Sequence, residues 1–215
     1  MNLKRILYII FFLFCSQSLL GQVRSPGERR QSAAELNDEA IDVYQRSSKV
    51  ESEIRTAIDM FDEAISRDSS FVIAHMNKLS MLCMLGANDE MLQELDRTIA
   101  TCGKKPEYIC IKGYILERSG FQKEAYAKYF EAEAMYKFLI DENQNVIPSS
   151  LGVAFLQFFL KDKNAGLKEY KKLEKLYGDK TVVSVRNTFY HFNKDEFLKN
   201  FSIPLRRSPN NLEVK

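Results

Sequence analysis

One pattern occurs twice in this sequence, first as FVIAHMNKLSMLCMLGANDEMLQELDRTIA at residues 71–100 and again as KPEYICIKGYILERSGFQKEAYAKYFEAEA at residues 105–134. The two copies align without a gap at an offset of 34 residues, so that these pairs correspond: Lys78 and Lys112, Leu82 and Leu116, Gly86 and Gly120. A repeat of this length is typical of stacked helix–turn–helix units, because one such unit cannot bury its apolar face alone. The repeat therefore predicts an all-α solenoid of antiparallel helix pairs.

The second helix of each unit carries a small, a large and a small residue on one face. Running the offset backwards adds one more copy, and the three sets are Ala57, Phe61 and Ala64, then Met91, Leu95 and Thr98, then Ala125, Tyr129 and Ala132. The small residue lets a neighbouring helix approach, and the large residue fills the space that remains. We therefore expect Phe61, Leu95 and Tyr129 to be buried.

The pattern resembles the tetratricopeptide repeat family. The family's glycine between paired helices matches Gly86 and Gly120, and its alanine–aromatic–alanine set in the second helix matches Ala125, Tyr129 and Ala132. The chain departs from the family in lacking the early tryptophan, which is replaced by Ile41, His75 and Ile109. The resemblance covers about residues 38–140. It implies a right-handed superhelical solenoid of about three units, with a degenerate fourth unit and a C-terminal capping helix.

Local signals place the helices of this domain, which spans residues 33–203. A capping box at Ser32 and Glu35 starts the first helix, and its partner covers 51–67. Two further pairs follow at 72–85 with 88–101 and at 106–119 with 122–140. Ser149 or Ser150 is expected to cap an apolar helix over 151–160, and Asn164 to open another that ends at Gly178. Residues 181–203 are read as the terminal cap, with helix favoured over strand at 182–192, and residues 204–215 are expected to be disordered.

The N-terminus predicts export. Lys4 and Arg5 precede an apolar run and a small-residue exit, which is the arrangement of a signal peptide cleaved after Gly21. Residues 22–32 then form a flexible lead-in, and the mature chain is periplasmic or secreted, with no integral membrane span because the apolar run is too short. Two alternatives stay open. One is a lipid anchor at Cys15, although Phe14 stands where lipidation favours a small residue, and the other is an uncleaved signal anchor.

Charge argues against a nucleic-acid partner. The chain has 31 basic and 29 acidic side chains, and removal of residues 1–21 takes away Lys4 and Arg5, which leaves the two signs balanced. Nucleic-acid binding requires a basic field. The distribution is uneven, because residues 35–68 hold ten acidic and four basic side chains. A solvated helix face is the common explanation of such a run.

No catalytic or metal-binding constellation is recognisable. The two histidines, His75 and His191, lie in different parts of the chain, and no phosphate-binding glycine loop or zinc motif occurs. We therefore expect a non-enzymatic protein without a cofactor or metal. Cys102 and Cys110 could approach each other across a loop and form a disulfide, or remain buried thiols.

The resemblance also implies a binding surface, because the first helices of such repeats line a concave groove. Carried over by position, the groove-facing or adjacent residues are Met76, Asn77, Ser80, Met84, Cys110, Tyr114, Glu117 and Arg118, and the first unit would add Asp42, Arg46 and Lys49. Tyr114 is the expected anchor, because tyrosine combines a ring with a hydroxyl at a small entropic cost.

The function implied is a scaffold in the cell envelope that holds a peptide or protein partner in this groove. One alternative is a structural subunit of an envelope assembly that packs through the apolar helix 151–160. Exposure of Phe155, Phe158 and Phe159 would favour that alternative. An inhibitor or immunity-type accessory protein is the other.

Overall fold

The computed structural model describes residues 31–178 and 180–208, which form helices and no strand. The helices are α1 (Ala33–Arg46), α2 (Glu51–Arg67), α3 (Val72–Leu85), α4 (Asn88–Cys102), α5 (Pro106–Arg118), α6 (Gln122–Asp141), α7 (Val146–Leu160), α8 (Lys163–Tyr177), α9 (Lys180–Ser184), α10 (Arg186–Tyr190) and α11 (Lys194–Lys199). The all-α class is therefore confirmed. The predicted signal peptide, Cys15, residues 22–30 of the lead-in and residues 209–215 of the tail lie outside the described residues.

The described chain forms two compact units. The first unit contains residues 31–103 together with residues 202–208, and the second contains residues 104–201. Within the first unit α1 to α4 each pack on the next helix along the chain, and α1 also contacts α3. Within the second unit α5 to α8 pack in the same consecutive way, and α11 contacts α5. Packing of consecutive helices is the coarse arrangement that the repeat predicts.

The burial of the recurrent positions agrees with the repeat. Every member of the three small–large–small sets is 0% exposed: Ala57, Phe61, Ala64, Met91, Leu95, Thr98, Ala125, Tyr129 and Ala132. Burial of the three large residues is thus confirmed. Gly113 of α5 shows why the close approach matters, because a Cβ atom at this position would overlap the ring of Tyr129. Only glycine leaves room for that ring against the helix backbone.

Several predicted helix ends are confirmed. Ser32 and Glu35 form the capping box, with the Glu35 N–H donating to Ser32 Oγ over 3.2 Å and the Ser32 N–H donating to Glu35 Oε2 over 2.8 Å. Gly86 follows α3 with φ +67°, a left-handed conformation that glycine adopts without strain. Residues 182–192 are largely helical, in α9 and α10, and Asn193 caps α11 by accepting from the Glu196 N–H.

Two predicted helix starts are wrong. Helix α7 begins at Val146 and not after Ser149 or Ser150, and Pro148 lies in its first turn, where a missing N–H costs no helical hydrogen bond. Helix α8 is opened by Asp162 and not by Asn164, because Asp162 Oδ1 accepts from the Ala165 N–H over 2.8 Å. At α8 the sequence offers two nearby capping residues of similar strength, whereas Asn145, which precedes α7, makes no side-chain capping hydrogen bond.

The apolar helix α7 belongs to the core of the second unit. Phe155, Phe158 and Phe159 are 3%, 3% and 0% exposed. They contact rings from the segment that follows α8, including Phe189 and Phe192. The alternative of an assembly subunit that packs through this helix therefore loses the exposed patch that it required.

A buried polar network ties α3 to its neighbours in the first unit. His75 Nδ1 lies 2.5 Å from Glu94 Oε1, and His75 Nε2 lies 2.9 Å from the Ser69 carbonyl. Lys78 Nζ lies 2.8 Å from both Glu94 Oε2 and Asp62 Oδ1. His75 is 0% and Glu94 4% exposed. His75 thus joins α3 to Glu94 of α4 and to the turn before α3, and Lys78 joins α3 to Asp62 of α2.

This network predicts a loss of stability in acid. Burial raises the pKa of Glu94, but hydrogen bonds from His75 and Lys78 outweigh burial and hold the pKa below its ordinary value of 4.5. The folded chain then binds fewer protons at this group than the unfolded chain does. Its contribution to stability is present above pH 4.5 and is lost as the pH falls through the folded pKa.

Urea denaturation at a series of pH values measures this effect. We expect the free energy of unfolding to fall more gently below pH 4.5 in the Glu94→Gln variant than in the unmodified chain. Glu124→Gln, at an exposed position of α6, serves as the control and should keep the unmodified slope. Equal slopes for Glu94→Gln and the unmodified chain would show that this carboxyl does not contribute to the pH dependence.

Candidate peptide-binding groove

Two helices of the first unit present polar side chains to each other across a groove. The face of α3 carries Asn77, Ser80 and Met84, and the face of α1 carries Asn37, Asp38 and Asp42. Residues three or four apart lie on one side of a helix, as Asn77, Ser80 and Met84 do on α3 and Asp38 and Asp42 do on α1. Asn37 joins them through its amide, which contacts Asp38 and Asn77. Asn37 and Asn77 are both 0% exposed. We call the space between these faces the α1–α3 groove.

Residues 202–208 of the same chain lie in this groove. Asn77 binds the main chain of Arg206 with both ends of its amide. The Arg206 N–H donates to Asn77 Oδ1 over 2.7 Å, and Asn77 Nδ2 donates to the Arg206 carbonyl over 2.7 Å. These bonds involve main-chain atoms of Arg206, so they select an extended backbone whatever its side chain is.

A second amide orients the first. Asn77 Nδ2 also donates to Asn37 Oδ1 over 2.7 Å, and Asn37 Nδ2 donates to the Arg206 carbonyl over 3.3 Å. Asn37 Nδ2 lies 2.9 Å from Asp38 Oδ1, which in turn accepts from the Ser208 N–H over 2.8 Å. Each buried polar atom in this chain of contacts therefore has a partner, as burial requires.

The two ends of the segment add contacts of different character. Ile203 is 4% exposed, and its carbonyl accepts from the Ser80 hydroxyl. Ser208 Oγ donates to the Ala34 carbonyl over 3.2 Å. One end of the segment is therefore apolar and the other end is a small hydroxyl residue.

Charge complementarity completes the groove. The Arg207 guanidinium pairs with the Asp42 carboxylate and also lies 3.4 Å from Gln45 Oε1. The hydrogen bond from Arg207 lowers the pKa of Asp42, and the bond to Asp42 raises the pKa of Arg207. Asp42 belongs to the acidic stretch of residues 35–68, which includes α1 and α2. The groove can thus hold an extended main chain and an arginine side chain.

The structure places Tyr114, the predicted anchor, in the core of the second compact unit. Tyr114 is 8% exposed and contacts four rings, those of Tyr129, Phe159, Phe197 and Phe201, at centroid distances of 4.9–5.8 Å. The expectation that Tyr114 faces water is therefore wrong, because residues 192–201 cover this face of α5. Truncating Tyr114 would remove core contacts, so it is unsuitable as a test of partner binding.

The other predicted residues have mixed positions. Cys110 is buried, which raises the pKa of its thiol. Glu117 accepts from the Tyr129 hydroxyl over 2.7 Å and pairs with Lys194 over 2.6 Å. Met76 is 1% exposed and Met84 is 46% exposed, while Arg118 is half-buried. Of the eight predicted residues, Asn77 and Ser80 bind the segment in the α1–α3 groove.

Two groove residues were missed from the sequence. Asn37 and Asp38 lie beside the apolar positions of α1 and were not expected to face the groove. The sequence did hold one signal of their burial. Leu36 was already assigned to the core by the helical pattern, and the amide of Asn37 is its direct neighbour. The first repeat was expected to add Asp42, Arg46 and Lys49. Asp42 contacts the segment through Arg207, Arg46 donates to the main-chain carbonyl of Asp42, and Lys49 lies over the Tyr44 ring.

The expected boundary of the tail also differs. Disorder was expected from residue 204, but Arg206, Arg207 and Ser208 make the contacts described above, because polar groups far away in the sequence bind them. Cys83, Cys102 and Cys110 are free thiols, so the conceivable disulfide between Cys102 and Cys110 is not formed.

Comparison with protein-family models, with curated proteins and with solved structures finds no match for the chain. Among the described residues, no helix combines the length and the apolar character that crossing a membrane requires.

Proposed function

We propose that this chain is an exported, non-enzymatic protein of the tetratricopeptide type that binds an extended segment of a partner protein in the α1–α3 groove. The observation that carries the proposal is the two-ended contact between the Asn77 amide and the main chain of Arg206. A side-chain amide that satisfies both main-chain groups of one residue is a device for holding extended peptides. The partner acts within the cell envelope or outside the cell.

The tetratricopeptide assignment has separate support. The nine recurrent small–large–small residues are all 0% exposed, and consecutive helices pack on one another within each unit. Stacking of such pairs in a right-handed superhelix would place first helices side by side, and α1 and α3 are in contact. First helices that touch in this way frame the groove on which the proposal depends.

Selection of peptides from an unbiased displayed library on the full chain tests the proposal, with affinities measured by titration calorimetry. Asn77→Ala removes two hydrogen bonds to the main chain of a bound peptide. Because residues 202–208 use the same two bonds, the comparison is made in chains that carry Arg206→Pro, which deletes the N–H that the chain's own segment donates to Asn77. In that background we expect selected peptides to bind Asn77→Ala about tenfold more weakly. Lys123→Ala, at an exposed position of α6, is the control and should change nothing. Peptides that bind equally well with and without Asn77→Ala would show that the α1–α3 groove is not the binding surface.

A further inference from the structure

We propose that residues 202–208 are a built-in ligand of the α1–α3 groove, which a partner displaces with an extended segment containing an arginine followed by a small hydroxyl residue. This inference rests on the proposed function and specifies both its ligand and its regulation. The groove is closed to partners until the chain's own segment leaves.

The first step of the argument is that the segment is held mainly by main-chain atoms. The Ile203 carbonyl, both main-chain groups of Arg206 and the Ser208 N–H bind Ser80, Asn77 and Asp38. Any extended chain offers the same groups at the same spacing. The groove therefore recognises a conformation that a partner can supply as well as the chain's own segment can.

The second step is that the side-chain contacts define a ligand class. Arg207 pairs with Asp42, and Ser208 Oγ meets the Ala34 carbonyl and the Asn37 amide. A carboxylate favours a guanidinium at the first of these positions, and the tight second position favours a small hydroxyl. Asp42 is the residue that sets the charge preference of the groove.

The third step is that the segment can leave without unfolding a helix. Residues 202–208 contain no helix. Arg206, Arg207 and Ser208 contact α1 and α3 through hydrogen bonds and one ion pair, which water can replace on release, whereas Ile203 contributes a buried apolar side chain. The Arg207–Asp42 pair is 41% and 46% exposed, and pairs at such exposure add little stability. Covalent linkage keeps the segment bound through a high effective concentration, on the order of millimolar for short flexible connections.

Substitutions at Arg206 test the inference in the full chain, because they distinguish the loss of a main-chain hydrogen bond from the loss of the Arg206 side chain. Arg206→Pro deletes the N–H that binds Asn77 and should release the segment, whereas Arg206→Ala keeps the N–H and should not. The probe is a fluorescent peptide of sequence SIPLRRS, which copies residues 202–208. By anisotropy, we expect the Arg206→Pro chain to bind the probe about tenfold more tightly than the unmodified and Arg206→Ala chains. Circular dichroism checks that each variant is folded.

Two further variants, made in the Arg206→Pro chain, locate the probe and test the ligand class. Asn77→Ala should weaken probe binding about tenfold, because it deletes two hydrogen bonds to the main chain of the probe. Asp42→Lys should reverse the charge preference, so that a probe with glutamate in place of its second arginine binds better than SIPLRRS. Asp42 is partly exposed, so this reversal is expected to leave the fold intact.

Three outcomes would overturn the inference. They are equal probe affinity for the Arg206→Pro and Arg206→Ala chains, no binding to a folded Arg206→Pro chain, and an unchanged charge preference in Asp42→Lys. A concentration-dependent dimer of the unmodified chain, abolished by Arg206→Pro, would identify a second copy as the occupant and would also overturn it. Selected library peptides that depend on Asn77 would leave the proposed function standing in each of these cases.

Discussion

Replacing Tyr129 with alanine is expected to lower the free energy of unfolding by about 3–5 kcal/mol, the cost of deleting a large buried aromatic side chain. Tyr129 is 0% exposed, and its ring lies against Gly113 and 5.1 Å from the Phe159 ring. Its hydroxyl donates to Glu117 Oε2 over 2.7 Å, so truncation also removes a hydrogen bond. The cavity cannot be filled by Gly113, which has no side chain.

Urea denaturation followed by circular dichroism measures this loss. Lys123→Ala provides the control on the same helix, because Lys123 is exposed, and should change the free energy of unfolding by no more than about 0.5 kcal/mol. Losses of similar size for the two variants would show that the 34-residue register does not identify the core.

Replacing Glu94 with alanine is expected to cost about 3–5 kcal/mol, because removal of one partner leaves a buried polar group uncompensated. Glu94 is 4% exposed and accepts from both His75 and Lys78. Lys78 keeps its contact with Asp62, whereas the Nδ1 atom of the fully buried His75 loses the carboxylate that faces it. The same denaturation experiment measures the loss.

Glu90 is a matched control on the same helix. It forms an ion pair of 2.7 Å with Arg55, but its side chain is 46% exposed. Exposed pairs contribute about 0.2–1 kcal/mol, so Glu90→Ala should fall in this range. If Glu94→Ala costs no more than Glu90→Ala, the buried network does not hold α3 against α2 and α4.

The features that were predicted correctly are encoded over short distances in the sequence. The capping box of α1 needs two residues three positions apart, and the turn after α3 needs one glycine. The burial of Phe61 and Leu95 follows from a pattern that repeats every 34 residues. In each case the residues that decide the structure lie within one helix or one repeat, so their spacing alone carries the information.

The predictions that were wrong concern the start of a helix where two capping residues lie close together, and the burial of a residue by distant parts of the chain. Asp162 and Asn164 are both good capping residues, and packing of the whole helix decides which of them begins it. Tyr114 combines a ring with a hydroxyl, as residues that anchor a partner often do, but aromatic rings of α7 and α11 pack against it and bury it. The sequence contains no periodic signal that links Tyr114 with Phe197 or Phe201, since these residues belong to different elements.

The amino-acid sequence by itself determined the helical class of this protein, the lengths of most helices and the large residues of its core. Only the tertiary structure decided what lies in the α1–α3 groove. Asn77 and Arg206 are 129 residues apart, and Asp38 and Ser208 are 170 apart, so no local pattern predicts their contact. Hydrogen bonds between an amide and a distant main chain leave no periodicity in the sequence, because every residue offers the same main-chain groups.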